Sequence, residues 1–244
     1  MINMKKYLSF LLGLMLMFSL IGCSSTPENT TPTVVPSQVE TNETINKEVP
    51  TVEEKNKIPN NEVKENISGN LKVNFIDVGQ ADSILIQQGS SSMLIDAGNN
   101  VDGALVNKYI KDQGITKLDF IIGTHPHEDH IGGLDYVINS FRIGKIYMPK
   151  AITTTKTFED VVIAIKNKGL IVTAPVPGQS FKLGEATCTI LAPNGSGYKD
   201  VNNESIVIKV VFGSNSFLFT GDADDVSEKE ILSKNYDVKT YVII

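Results

Sequence analysis

All three histidines of the chain fall within six positions, in the run Thr124-His125-Pro126-His127-Glu128-Asp129-His130, directly after the apolar stretch Phe120-Ile121-Ile122-Gly123. A strand that ends in such a loop delivers several donors to one point, because the strand fixes where the loop begins and the short spacing keeps the side chains together. Imidazole with carboxylate suits zinc, manganese or iron. The ordinary alternative is a solvated loop whose histidines cluster by chance. A distant partner weighs against it, since Gly221-Asp222-Ala223-Asp224 follows a second apolar run, Ser216-Phe217-Leu218-Phe219-Thr220. Each of these two predicted strands ends at a carboxylate, and a fold that joined the two ends would build a cation centre.

The N-terminus sets the compartment. Lys5 and Lys6 precede an apolar stretch from Tyr7 to Ile21, shorter than the roughly 20 residues of a spanning helix. Residues 1–22 therefore read as a signal peptide. The stretch closes on Leu20-Ile21-Gly22-Cys23, which looks like a bacterial lipoprotein processing site, so Cys23 is expected to be lipidated and to anchor the chain to the extracytoplasmic face of the cell membrane. An ordinary secretory signal or an uncleaved anchor would place the body in the same compartment. Several acyl chains on one cysteine hold firmly where a single chain is marginal.

Residues 23–68 are rich in Thr, Pro, Asn, Glu and Lys and contain no aromatic side chain. Such a segment cannot bury a core and is expected to be a disordered tether, semi-extended by its prolines. Residues 69–244 then make one domain. With Cys23 lipidated only Cys188 remains, so core packing must supply the stability that an intramolecular disulfide cannot. Cys188 sits in the alternating run Ala186-Thr187-Cys188-Thr189-Ile190-Leu191 and reads as a small buried hydrophobe.

Formal charge is −6, and loss of Lys5 and Lys6 with the signal peptide leaves 20 basic against 28 acidic residues, or −8. Arg142 is the single arginine. Nucleic-acid-binding domains are usually basic because phosphate contacts dominate affinity, so the balance weakens a nucleic-acid surface, although bound cations would offset it locally.

From Leu71 onward, short apolar runs punctuated by Gly and Asn give way to strands alternating with helix-length segments. The pattern predicts strands at 71–77, 83–88, 92–96, 119–123, 144–148, 170–174, 186–191, 205–212 and 216–220, and helices at 101–113, 132–140, 157–168 and 225–234. Periodicity alone supports a mixed α/β domain with several hairpins.

The His-x-His-x-Asp-His pattern after a strand, Asp96-Ala97-Gly98 upstream and Thr220-Gly221-Asp222 downstream together resemble the metallo-β-lactamase superfamily. The opening Phe75-Ile76-Asp77-Val78-Gly79-Gln80-Ala81-Asp82-Ser83 narrows this to the extracytoplasmic hydrolase-like domain of the ComEC competence (DNA-uptake) family, whose usual Asp-Val-Gly-Gln-Gly-Asp-Ser is matched except at Ala81. The resemblance spans about Leu71 to Ile244 and implies an α/β (α+β) fold, a four-layer αββα sandwich with metal at one edge between two sheets. It further implies a hydrolase acting on a phosphodiester or DNA through metal-activated water, with zinc as the expected cofactor at two sites and manganese as the alternative. His125 and His127 would bind the first cation, Asp129 and His130 the second, and Asp222 would bridge them, with Asp129 also the catalytic group that orients the water. Asp96 would orient the metal loop from behind the ligands.

Asp77 and Asp82 flank the Gly-Gln turn that the resemblance brings near the metal edge, and each reads either as a turn residue or as a group supporting the ligands or the substrate. Asp224 reads either as a supporting carboxylate or as a helix cap. Gly132 and Gly133 fit a close backbone approach or a flexible helix start.

Two features depart from the wider superfamily. Where many relatives carry a further histidine, this chain reads Asn202-Asn203-Glu204-Ser205, so Asn203 is the candidate substitute ligand for the first cation, a harder donor that favours manganese or loosens the site. The segment Tyr236–Ile244 reads as a strand, where relatives continue into Gly-His-His-Gly-Ser. That pattern is expected of a fragment or shortened frame with a metal-poor, weak or inactive centre. The alternatives to a phosphodiesterase are a hydrolase of esters, thioesters or lactams and a non-catalytic surface lipoprotein that binds rather than turns over.

Overall fold

The computed structural model describes residues 68–244; the signal peptide, Cys23 and all of the tether but Ser68 lie outside the described residues. The first apolar runs form an antiparallel meander of β1 (Leu71–Phe75), β2 (Ile84–Gln88) and β3 (Ser91–Ile95). The chain then alternates through α1 (Gly103–Asp112), β4 (Lys117–Ile122), α2 (Glu128–Ile131), α3 (Leu134–Ser140), β5 (Arg142–Tyr147), α4 (Lys156–Asn167) and β6 (Val172–Thr173). Helical crossovers return each strand in the same direction, so β3, β4, β5 and β6 pair in parallel and complete a six-stranded sheet in sequence order.

The second sheet holds β7 (Ser180–Leu183), β8 (Ala186–Ile190), β9 (Ile208–Phe212) and β10 (Asn215–Phe219) as antiparallel neighbours. After α5 (Asp225–Ser233), β11 (Val242–Ile243) adds in parallel to β10, giving the order β11-β10-β9-β8-β7.

Side-chain alternation along the strands sorts the core into layers. Leu85, Leu94, Ile121 and Ile146 point to one face of the first sheet, where they meet Val106 and Ile110 of α1, Val137 of α3 and Val161 of α4. Their neighbours Ile84, Ile86, Met93, Ile95, Ile122 and Tyr147 point to the other face and pack on Leu183, Cys188, Ile190, Ile208, Val210 and Phe219 of the second sheet. Outside that sheet, Val207 and Leu218 are covered by Ile231 of α5. The order is helices, sheet, sheet, helix, the four-layer αββα sandwich. Each large aliphatic buried this way contributes about 1.5–3 kcal/mol, which makes the two-sided strands β2 to β5 the chief source of stability. Cys188 is buried between the sheets and its thiol is pushed up to about 12 by that burial, so it is an inert packing group. No helix among the described residues is long and apolar enough to cross a membrane.

Three elements differ from the pattern expected of the sequence. Strand β7 lies outside the expected pattern, because Ser180–Leu183 offers only two apolar residues, Phe181 and Leu183, of which Leu183 alone is buried. The helix expected over 132–140 begins only at Leu134, after the pair Gly132-Gly133, and a separate short α2 precedes that pair. The final strand is confined to Val242–Ile243, since the chain before it wraps a nearly buried cation: Lys209 Nζ donates to the Asp237 carboxylate and carbonyl, both at 2.8 Å. Burying an ammonium demands such partners, and meeting them bends the segment out of the sheet.

Candidate metal centre

Strand β4 leaves the first sheet at Ile122, and its continuation stays pinned to both sheets. Gly123 N–H donates to Tyr147 O at 3.0 Å, and Ile206 N–H of the second sheet's edge donates to Thr124 O at 3.0 Å. The histidine loop therefore starts in the cleft between the sheets. It then turns into α2 and α3 through Gly132 and Gly133, where any side chain would collide. A Cβ on Gly132 would lie 2.3 Å from Asn100 N, and one on Gly133 would lie 2.3 Å from Ala97 O. The close approach explains why α3 begins only after the pair.

Asp96, at the end of β3, holds the loop from behind. It is buried and adopts a left-handed backbone, φ 55°, unusual for a residue with a side chain. Its Oδ1 accepts from Thr124 N at 2.8 Å, and its Oδ2 accepts from Thr124 Oγ1 at 2.6 Å and faces His130 Nδ1 at 2.9 Å. With Nδ1 so engaged, His130 turns Nε2 toward the Asp222 carboxylate, 3.3 Å away. His125 is oriented the same way: its Nδ1 lies 3.2 Å from Thr124 Oγ1 and 3.3 Å from Ser205 Oγ. Because the Thr124 hydroxyl proton is already given to Asp96, His125 Nδ1 carries the hydrogen toward Thr124, and Nε2 keeps its lone pair.

That lone pair faces the other donors. His125 Nε2 is 3.0 Å from His127 Nδ1 and 3.7 Å from Asp222 Oδ2, and donor atoms of His125, His130 and Asp222 all lie within 4.8 Å of one another. Asp222 reaches them from the turn after β10, where Gly221 takes φ 51° and a Cβ would sit 3.1 Å from Thr124 Cβ. The set is chemically suited to divalent cations: imidazole lone pairs aimed by hydrogen bonds at their far nitrogens, with a carboxylate placed between them.

Electrostatics separate the two buried imidazoles. Burial, with His130 and His127 beside it, pushes His125 down to about 3, so it is neutral at any ordinary pH. Burial would depress His130 too, but its hydrogen bond to Asp96 and the nearby Asp96, Asp222 and Asp82 charges overturn that and raise it to about 9. Without metal His130 is an imidazolium, and a cation taking its Nε2 must displace a proton.

The remaining candidates divide. Asp129 is half-buried on α2, and its carbonyl accepts from Asp82 N at 3.0 Å. Asp82 rather than Asp77 meets the centre: its carbonyl accepts from Gly98 N at 2.8 Å, and its carboxyl is raised by burial and by Asp96, Asp222 and Asp129, against a lowering by His130. Asp77, expected to support the ligands, is exposed and accepts from Gly79 N at 3.2 Å, a turn contact. Asn203, expected as a substitute ligand, instead accepts through its Oδ1 from Ser227 N at 2.9 Å and so caps α5. Asp224 is the N-cap of the same helix. The residue of this segment that does touch His125 is Ser205, buried two positions on and not singled out by its sequence context.

A two-sheet sandwich carrying a histidine and aspartate cluster at one edge defines a class of metal-centred folds. The sequence profile of the metallo-beta-lactamase superfamily matches residues 76–241, and the chain belongs to that superfamily, whose members are generally hydrolases. Among individual proteins, it is 24% identical over 197 residues to ComE operon protein 3 of Bacillus subtilis, covering 72% of this chain and 25% of that protein. It is 25% identical over 163 residues to Recombination protein 2 of Haemophilus influenzae, covering 65% of this chain and 19% of that protein. The chain thus spans a quarter or less of either relative. An HARLDQ-motif mutant of a metallo-beta-lactamase from Cronobacter sakazakii superposes with a TM-score of 0.50 at 14% identity, covering 70% of this chain and 75% of that one, which speaks to the fold alone.

Proposed function

We propose that this chain is an extracytoplasmic metal-dependent hydrolase of phosphodiesters, held to the membrane through Cys23. The convergence of His125, His127, His130 and Asp222 at one sheet edge carries the reading. The phosphodiester class rests on kinship with ComE operon protein 3 and Recombination protein 2, the second of which is named for work on nucleic acid. Zinc, or manganese in its place, would supply an acidified water and charge stabilisation at the attacked oxygen. The chain's own residues do the rest. Asp96 and Thr124 fix His130 and His125, His127 and Asp222 close the donor set, and the Asp129 carboxylate, half-buried on α2, would orient the attacking water.

Turnover of bis-p-nitrophenyl phosphate by the full chain with zinc or manganese tests this. Asp222→Ala is expected to lower kcat by at least about 100-fold while the protein stays folded. Turnover of nitrocefin but not of the diester would favour the lactam reading. Metal binding without turnover of either would make the chain a binding module. A Cys23→Ser chain released into the medium, where the parent partitions with membranes, checks the anchor.

A further inference from the structure

Beside the metal edge lies a cavity of about 250 Å³ lined by Lys150, Pro175, Pro193, Asn194, Ser196 and Glu204. The topology places it. β4 and β5 are parallel neighbours with Ile122 opposite Tyr147, so His125 and Lys150 each lie three residues beyond the paired ends of adjacent strands. Adjacent strands run about 4.8 Å apart, and both chains leave the sheet at the same edge, where open parallel sheets bind ligands. Pro175 follows β6 on that edge, and Glu204 adjoins Ser205, whose hydroxyl is 3.3 Å from His125 Nδ1. The cavity thus lies at the same sheet edge as the histidine loop, one or two strands along.

Most polar groups on its wall are already committed. Glu204 Oε1 accepts from Gly197 N at 2.7 Å and Tyr198 N at 3.4 Å, Asn194 Nδ2 donates to Leu191 O at 2.7 Å, and Gly195 N donates to the Tyr198 hydroxyl at 2.6 Å. Lys150 is different: it is exposed, and among the described residues it forms no ion pair. An uncommitted ammonium beside Ser196, with the Glu204 Oε1 already taken and Pro175 and Pro193 as apolar faces, suits one anionic group on a compact apolar body. The volume lies below the 300–1,000 Å³ usual for drug-sized ligands, roughly one nucleotide unit rather than a polymer.

Resting on the phosphodiesterase reading, we infer that this cavity is a substrate subsite for a single nucleotide-sized phosphate ester, with Lys150 pairing its phosphate, so that the enzyme takes chain ends or short diesters rather than duplex nucleic acid. The acidic body agrees, since within residues 68–244 the 20 acidic side chains oppose 16 basic ones and a long polyanion would meet repulsion beyond the cavity.

Calorimetric titration of thymidine 5′-monophosphate into the full chain loaded with manganese tests the inference. Lys150→Ala is expected to weaken binding about tenfold, the loss typical of one charge-assisted contact, and Lys150→Arg to restore most of it. Thymidine without its phosphate should not distinguish the variants. Equal affinity of the parent and Lys150→Ala for the monophosphate, or binding by neither, overturns the subsite, as does duplex DNA displacing the monophosphate at equal nucleotide concentration. Metal content, which Lys150→Ala should leave unchanged, and bis-p-nitrophenyl phosphate turnover by the parent chain report on the centre separately. Lys150-dependent binding in a parent chain that turns over no diester would retain the subsite and discard the hydrolytic reading.

Discussion

The two sheets meet the same edge but are built to different depths. The first is backed by α1, α3 and α4 and a large aliphatic cluster, whereas the second is backed by α5 alone over Leu191, Val207, Leu218 and Ile231. The metal-facing groups follow that asymmetry. His125, His130 and Asp96 come from the thick half and are 0%, 3% and 1% exposed, while the Asp222 side chain comes from the thin half and is 40% exposed. Orientation is thus supplied where packing is heaviest, and the carboxylate between the imidazoles sits on the half with less to hold it.

Paired core substitutions would break that comparison most directly. Ile121→Ala, under three helices, is expected to cost about 4 kcal/mol, and Ile231→Ala, on the single cover of the second sheet, about 2 kcal/mol. Urea denaturation checks both, and equal losses would show that the thin half is no weaker. A smaller effect, with a sign, comes from pH. In metal-free protein His130 has a folded value of about 9, above its ordinary 6.5, so its stabilising contribution is complete below pH 6.5 and disappears as pH rises toward 9. His125, held at about 3, acts oppositely: its contribution is present above pH 6.5 and fades as pH falls toward 3. Thermal midpoints in EDTA should therefore fall on both sides of neutrality, and Asp96→Asn should flatten the alkaline side. The smallest effect belongs to the α5 cap, where Asn203→Ala should cost about 1 kcal/mol by urea denaturation and leave metal content unchanged.

The thick half was also the more legible. Runs such as Ser83–Gln88 and Phe120–Gly123 are apolar on both faces, and their length and bounding turns announce strands. Ser180–Leu183 makes a strand through register with β8 rather than through composition, so only the fold shows it. At the centre, spacing named the histidines and the strand-end aspartates, because ligands fixed by local geometry leave a local signature. The roles of Asp77 and Asp82 were not separable, since two aspartates flank one turn and only the bond from Asp82 N to Asp129 O shows which side meets the metal loop. Asn203 looked like a ligand because it stands where many relatives carry a further histidine; the claim on its side-chain carbonyl comes from a helix residue 24 positions later.

The left-handed backbone at Asp96 restricts what this position can become. Asparagine and glycine are the residues that tolerate that conformation, and of the two only asparagine can still receive the Thr124 amide. Asn at 96 would therefore preserve the turn while removing the negative charge that steadies His130. Position 96 thus ties a backbone requirement to a charge requirement, and aspartate meets both at once.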